Sequence, residues 1–300
     1  MSLPDSSSAT PAAAARAASR GPQAPDGALL FLGDVFLPHP VRVDAALDGR
    51  LVYNLEAPLT RETRGWPDTV NLRCAEDHTL ATFGRRPAAV CLANNHIMDF
   101  GAAGLAETLD RLRAAGTPYF GAGTLAENCH NPLVLDVGGI TVGLAGYVCK
   151  SAHPVFATAE HPGVVPIDLD RIARDLGTMR ERGAARRVVC LHWGIEEVEL
   201  PVPSDVRLAR EIVALGADLV IGHHAHCIQP FEVHRGAHVF YGLGNAIFPD
   251  VDAPSGFDEA GVPRERFRKL QNYWNRDSLA VCYDVRYGAV TVDRLTCDGR

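Results

Sequence analysis

Ala28-Leu29-Leu30-Phe31-Leu32-Gly33-Asp34 is an apolar run stopped by a glycine and then an acid. Such a run is too short for an ordinary helix and suits a strand buried on both faces. The design recurs at 51–53, 88–92, 141–147, 187–191, 218–221 and 238–243, each run bounded by Gly, Asn, Pro or Asp. Helical periods lie between the runs. The segment 104–115 puts Leu105, Leu109 and Leu112 on one face, and 168–182 and 204–215 behave alike. Strands alternating with helices predict an α/β fold built on parallel strands with helical crossovers. The last segments, 278–285 and 289–295, read as a closing hairpin around Tyr287-Gly288. The segment 249–274 is charged, lacks a sustained apolar period and reads as a surface excursion or flap. There is no internal repeat or interdomain linker, so residues 28–300 are expected to form a single domain.

The 300 residues, 47% hydrophobic and 22% charged, are enough for a full core of ordinary globular composition. A formal net charge of −7 opposes non-specific binding to nucleic acid or anionic membrane, which needs clustered positive charge. The eight cysteines form no Cys-x-x-Cys pair, and most sit in apolar runs such as Ala89-Val90-Cys91-Leu92. They read as buried free thiols of a reducing compartment. No apolar stretch approaches the roughly 20 residues that cross a bilayer, so no membrane anchor is expected. Residues 1–27, rich in Ala, Ser and Pro, lack the apolar core of a secretory signal and read as a disordered leader. The expectation is a cytoplasmic protein.

Polar residues of metal-binding type follow the expected strands one after another. They are Gly33-Asp34, Asn54-Leu55-Glu56, Asn94-Asn95-His96, His192-Trp193-Gly194 and Gly222-His223-His224-Ala225-His226. In open α/β sheets the residues beyond the carboxyl ends of the strands converge on one site. Asp, Glu, Asn and His together suit Mn, Fe or Zn. A lone Asp after a strand is usually a turn or cap, and a lone His is usually just hydrogen-bonded. Five such places in one chain exceed what turns require. A divalent ion lowers the pKa of bound water and polarises the attacked oxygen, and a nearby His can protonate the leaving group.

These segments resemble the bacterial capsule-biosynthesis CapA-type proteins associated with poly-γ-glutamate, a branch of the calcineurin-like metallophosphatases. The resemblance runs from about residue 28 to 295. It rests on Asn54-Leu55-Glu56-Ala57-Pro58, on the segment Leu92-Ala93-Asn94-Asn95-His96-Ile97-Met98-Asp99-Phe100-Gly101, on His192-Trp193-Gly194-Ile195-Glu196 and on Tyr241-Gly242-Leu243-Gly244-Asn245. It implies a four-layer α/β/β/α sandwich with one or two divalent metal ions. By position it implies metal ligands at Asp34, Glu56 (the bridging position), Asn95, His192, His224 and His226. His96 takes the place of the acid that assists the leaving group, and His223 is left as the extra residue of its run. One departure stands out: the His usual two residues after the first Asp is here Phe36, which leaves Asp34, Glu56 and His226 as the weaker metal position.

Weaker candidates surround this set. Arg73 could bind a phosphate or carboxylate of the substrate, or be a solvated surface residue. Asn245 could line the substrate cleft, although turns recruit Asn anyway. Asp99 reads as the cap of the following helix rather than a partner for a site residue, and Trp193 as a core residue rather than a wall of the site. The segment 121–126 mimics a dinucleotide fingerprint, but it lacks the following helix and the acidic residue of that motif. The leading expectation is a metal-dependent hydrolase, phosphoesterase-like, acting on a small molecule. The alternative is a non-hydrolytic or amide- or ester-directed protein supporting synthesis of a poly-γ-glutamate-type polymer or a secondary metabolite. A nuclease ranks last, because no basic run is present.

Overall fold

The apolar runs pair into two sheets. A computed structural model describes residues 27–297 apart from 44–46, 48 and 68, so the expected leader lies outside the described residues. In the first sheet Ala28–Val35, Arg50–Leu55, Ala89–Cys91 and Tyr119–Phe120 run parallel. The antiparallel pair Asp277–Asp284 and Ala289–Thr296 completes one edge, as expected of the closing hairpin. In the second sheet Ile140–Val148, Arg186–His192, Leu219–His223 and Ala237–Phe240 run parallel, with antiparallel strands Leu133–Val137 and Phe231–His234 at the two edges.

Side chains sort with the period of two that a strand imposes. On Arg186–His192, Val188 and Cys190 join the large core shared with the first sheet. Val189 and Leu191, between and after them, join a second core with Ile172, Leu176 and Met179 of helix Leu169–Glu181 and Ala209, Ile212 and Val213 of helix Pro203–Leu215. Strands apolar on both faces therefore serve two cores, one between the sheets and one beneath the helices. Helix Gly101–Ala115 packs Leu105, Leu109 and Leu112 into the first core. The result is an α/β sandwich of two sheets with helices packed against them.

Two differences from the sequence reading matter for the site. The segment expected as one strand over 238–243 ends at Phe240, and the chain turns through Gly242 and Gly244. It then adds Asn245–Ile247 to the first sheet, parallel to Ala28–Val35, with Asn245 opposite Asp34. This pairing also extends the first strand past Leu32 through Asp34. The excursion at 249–274 contains an antiparallel hairpin, Val251–Phe257 with Pro263–Lys269. Its apolar residues are sparse because one face meets solvent: Val251, Ala253 and Phe257 are buried while Arg264, Arg266 and Arg268 are exposed.

All eight cysteines are free; six are buried, and Cys149 and Cys297 are partly exposed. Burial raises the pKa of Cys74 to about 12 and that of Cys227 to about 11, which keeps these thiols unreactive. A thiol reagent should therefore titrate about two cysteines rapidly in the native protein and about eight after denaturation without reductant. A denatured count of about six or fewer would show that disulfides form.

Candidate metal centre

Each motif residue sits at the carboxyl end of a parallel strand. Asp34 is next to last in Ala28–Val35, Glu56 follows Arg50–Leu55, and His192 closes Arg186–His192. His224 and His226 come just after Leu219–His223, and Asn95 and His96 leave the end of Ala89–Cys91. The glycines ahead of two motifs are there for close approach. A Cβ at Gly33 would collide with the Gly244 carbonyl, and one at Gly222 would collide with the Tyr241 carbonyl. His224 and His226 have left-handed backbones, with φ of 87° and 54°. Non-glycine residues adopt that conformation at a cost, and it is concentrated at functional sites.

The side chains converge. Asp34 and Glu56 are fully buried, and Asn54 Nδ2 donates to both, at 2.9 Å to Asp34 Oδ1 and 3.1 Å to Glu56 Oε2. Asn94 Nδ2 in turn donates to Asn54 Oδ1 at 2.9 Å. Two donor groups form: Glu56 with His192 and His224, and Asp34 with Glu56 and His226, the ligand atoms of each lying within 4.8 Å of one another. Glu56 belongs to both. Asn95 Oδ1 lies 2.8 Å from His192 Nε2, so it extends the first group.

Ionisation states favour a cation. Burial by itself would raise the Asp34 pKa, but His223, His226 and His192 outweigh it and hold the carboxyl well below the usual range. Burial, reinforced by Asp34 and Glu196, pushes Glu56 far up. Burial and then His226 depress the pKa of His224 to about 4, and burial and then His224 depress that of His192, so both imidazoles are neutral, the form that ligates. Glu56 Oε1, His192 Nδ1 and His224 Nδ1 are buried without a hydrogen-bond partner. Unsatisfied buried donor atoms beside two carboxylates fit a divalent metal centre.

The surrounding residues differ from expectation in several places. Asn245 does not reach the cleft. Its Nδ2 donates to the Asn275 carbonyl at 3.0 Å, leaving Oδ1 to accept from His226 Nδ1 at 2.8 Å. That bond fixes the tautomer and leaves Nε2 as the ligand atom. Arg73 also lies away from the cleft: its guanidinium donates to the carbonyls of Glu62 and Arg61 and covers the Phe100 ring. Both of these bonds use Nη1, so two backbone carbonyls hold that end of the guanidinium outside the cleft lining. Asp99 is no cap, since helix Gly101–Ala115 has no side-chain cap; it accepts from Leu72 N at 2.6 Å and contacts His96 Nδ1 at 2.8 Å. Trp193 is a core residue, stacked on Tyr241 and donating to its carbonyl. Phe36 is buried against Phe248, whose ring stands edge-on to His226 at 5.0 Å. His223, set aside in the sequence, approaches Asp34 Oδ1 at 3.1 Å. Three histidines in four residues were visible; which of them would face Asp34 depends on the left-handed turns.

A cleft of about 460 Å³ opens over the centre, with Asn95, His96, Glu196 and His226 on one side and the hairpin residues Val251, Phe267 and Lys269 on the other. Two sheets that bring carboxylates and imidazoles to one rim form a candidate centre for a divalent metal. Residues 31–250 match the family described as bacterial capsule synthesis protein PGA_cap. The capsule biosynthesis protein CapA of Bacillus anthracis is 32% identical over 197 residues, 65% of this chain and 46% of that protein. The PGA biosynthesis protein CapA of Bacillus subtilis is 34% identical over 157 residues, 52% and 41% of the two chains. This chain thus spans less than half the length of either relative. A hypothetical protein from Thermus thermophilus superposes with a TM-score of 0.51 at 15% identity, covering 90% of this chain and 99% of that one, a likeness of fold. The chain belongs to the PGA_cap family of bacterial capsule synthesis proteins.

The two donor groups are unequal. The one centred on His224 gains Asn95, whereas the one centred on His226 has Asp34 and Glu56 beside it, with His223 near Asp34 but outside the group and Phe248 against the His226 imidazole. Replacing His224 by Ala should therefore remove more bound metal than replacing His226 by Ala, as measured by metal analysis of protein purified without chelator. Equal losses would refute the asymmetry.

Proposed function

We propose that this protein is a metal-dependent hydrolase, phosphoesterase-like, that acts on a small-molecule ester with His96 as general acid. Asp34, Glu56, Asn95, His192, His224 and His226 would hold one or two ions of Mn, Fe or Zn. Such an ion supplies Lewis acidity at the scissile group and acidifies water. The observation that carries the reading is the placement of His96. It lines the same cleft as Asn95 and His226, with Nδ1 held by Asp99 at 2.8 Å, which leaves Nε2 for a substrate. Burial alone would lower the His96 pKa, but the Asp99 carboxylate outweighs it and raises the pKa above that of an ordinary imidazole. A proton is therefore available for a departing oxygen near neutral pH. The eight free thiols support a reducing, cytoplasmic setting.

A second reading has its own support. Phe36 packs on Phe248 at the position where the family resemblance expects a ligand, and the similar proteins of Mycobacterium tuberculosis are named as probable polyglutamine synthesis accessory proteins. On that reading the chain assists assembly of a poly-γ-glutamate-type polymer without hydrolysis.

His96→Ala should keep the fold and metal content but lower kcat by about 10²–10⁴-fold on an alkyl phosphoester, and by less on a nitrophenyl ester, whose leaving group needs no proton. Asp99→Asn should keep more activity. It removes the charge that raises the His96 pKa, so the alkaline limb of the pH profile, where the acid loses its proton, should move to lower pH. Unchanged turnover in His96→Ala would remove this residue from catalysis. A wild-type protein with bound metal that hydrolyses no phosphoester, ester or γ-glutamyl amide would favour the accessory reading.

A further inference from the structure

The cleft walls say more about the substrate than the metal ligands do. Half of the residues lining the cleft are apolar, and Trp66, Phe248 and Phe267 supply three aromatic faces. They come from separate places: Trp66 from the loop after Glu62, Phe248 from the segment beside His226, and Phe267 from the hairpin over the centre. Trp66 is 45% exposed, although its Nε1 is anchored to the Met98 carbonyl at 2.7 Å, so the ring is held with one face open. Behind Phe248 lies Phe36, 5.3 Å away and buried, which backs the wall with a second ring.

The charges point the same way. Among the described lining residues Lys269 is the single Lys or Arg, and its Nζ is held by Glu197 at 2.6 Å. Glu196 adds a carboxylate to the same walls, while the Asp99 carboxylate is paired with His96. Beyond the metal centre and His96 a polyanion would find little positive charge, whereas the aromatic side chains offer apolar surface to a non-polar group. A volume of about 460 Å³ holds a small molecule.

We propose that this cleft selects an ester or phosphoester whose non-reacting part is apolar, an aryl or branched alkyl group, and that Trp66 and Phe267 determine that preference. The proposal takes from the hydrolase reading only that the reacting group lies at the metal centre. Burying a small aryl group against these faces favours it over a methyl group by at least about tenfold in affinity.

Calorimetric titration of the full-length, manganese-loaded protein with phenylphosphonate, methylphosphonate and a γ-linked glutamate oligomer tests this. Phenylphosphonate should bind about tenfold or more tightly than methylphosphonate, and the oligomer more weakly than phenylphosphonate. Phe267→Ala and Trp66→Ala lie on separate segments, and neither residue belongs to the donor groups. Each should weaken phenylphosphonate binding several-fold and leave methylphosphonate binding and metal content unchanged. Equal affinity for the two phosphonates, tighter binding of the oligomer, or no phenylphosphonate binding overturns the inference. If phenylphosphonate binds as expected while phenyl phosphate is not hydrolysed, the cleft preference stands and the hydrolase reading fails.

Discussion

Everything at the carboxyl rim of the sheets is arranged around two buried carboxylates brought side by side. Like charges removed from water repel strongly and lose their hydration, so Asp34 and Glu56 together would be a severe defect in an ordinary core. Three features make the pair tolerable. Asn54 donates to both, imidazoles face Asp34, and Glu56 is pushed toward its neutral form. A divalent cation is the group that would satisfy both carboxylates at once, together with the neutral His192 and His224, whose Nδ1 atoms lack hydrogen-bond partners. The strained backbones of His224 and His226 are consistent with that pull: tight turns let alternate residues of one short segment present imidazoles to different donor groups.

The sheets make this convergence possible. Asp34, Glu56 and Asn95 come from the first sheet, and His192, His224 and His226 from the second. No short stretch of chain could gather them; the rim at which parallel strands of both sheets end does so without long loops. The crossing segment Asn245–Ile247 ties the rim together, since it leaves the second sheet, pairs with Ala28–Val35 and sets Asn245 beside His226.

Much of this was legible in the sequence because it follows from local rules. Short apolar runs closed by Gly, Asn or Asp mark strands, and the metal-type residues just past them fall where sites form. Seven of the parallel strands, the three long helices and the closing hairpin were anticipated to within a few residues, whereas the short parallel strands Tyr119–Phe120 and Asn245–Ile247 were not. What was not legible depends on contacts between distant segments. Asp99 read as a cap because it precedes a helix, yet Leu72 N and His96 claim its carboxylate from elsewhere. Arg73 read equally as an anion contact or a solvated surface residue, because the carbonyls of Arg61 and Glu62 that fold back on it were not visible. The hairpin at 251–269 escaped because only one face is buried. Its second strand carries Arg264, Arg266, Arg268 and Lys269 around a single aromatic residue, Phe267, which leaves no apolar period to read.

That hairpin is also wired to the metal centre. Lys269, at its end, is paired with Glu197, and Asn275 Nδ2 donates to the same Glu197 oxygen at 3.4 Å. The Asn275 carbonyl accepts from Asn245, and Asn245 accepts from His226. Each link is a separate hydrogen bond or ion pair, and the inner ones are buried, where a lost partner costs about 1–3 kcal/mol. The wall that carries Phe267 and the imidazole that offers Nε2 beside Glu56 are therefore held by one continuous polar network.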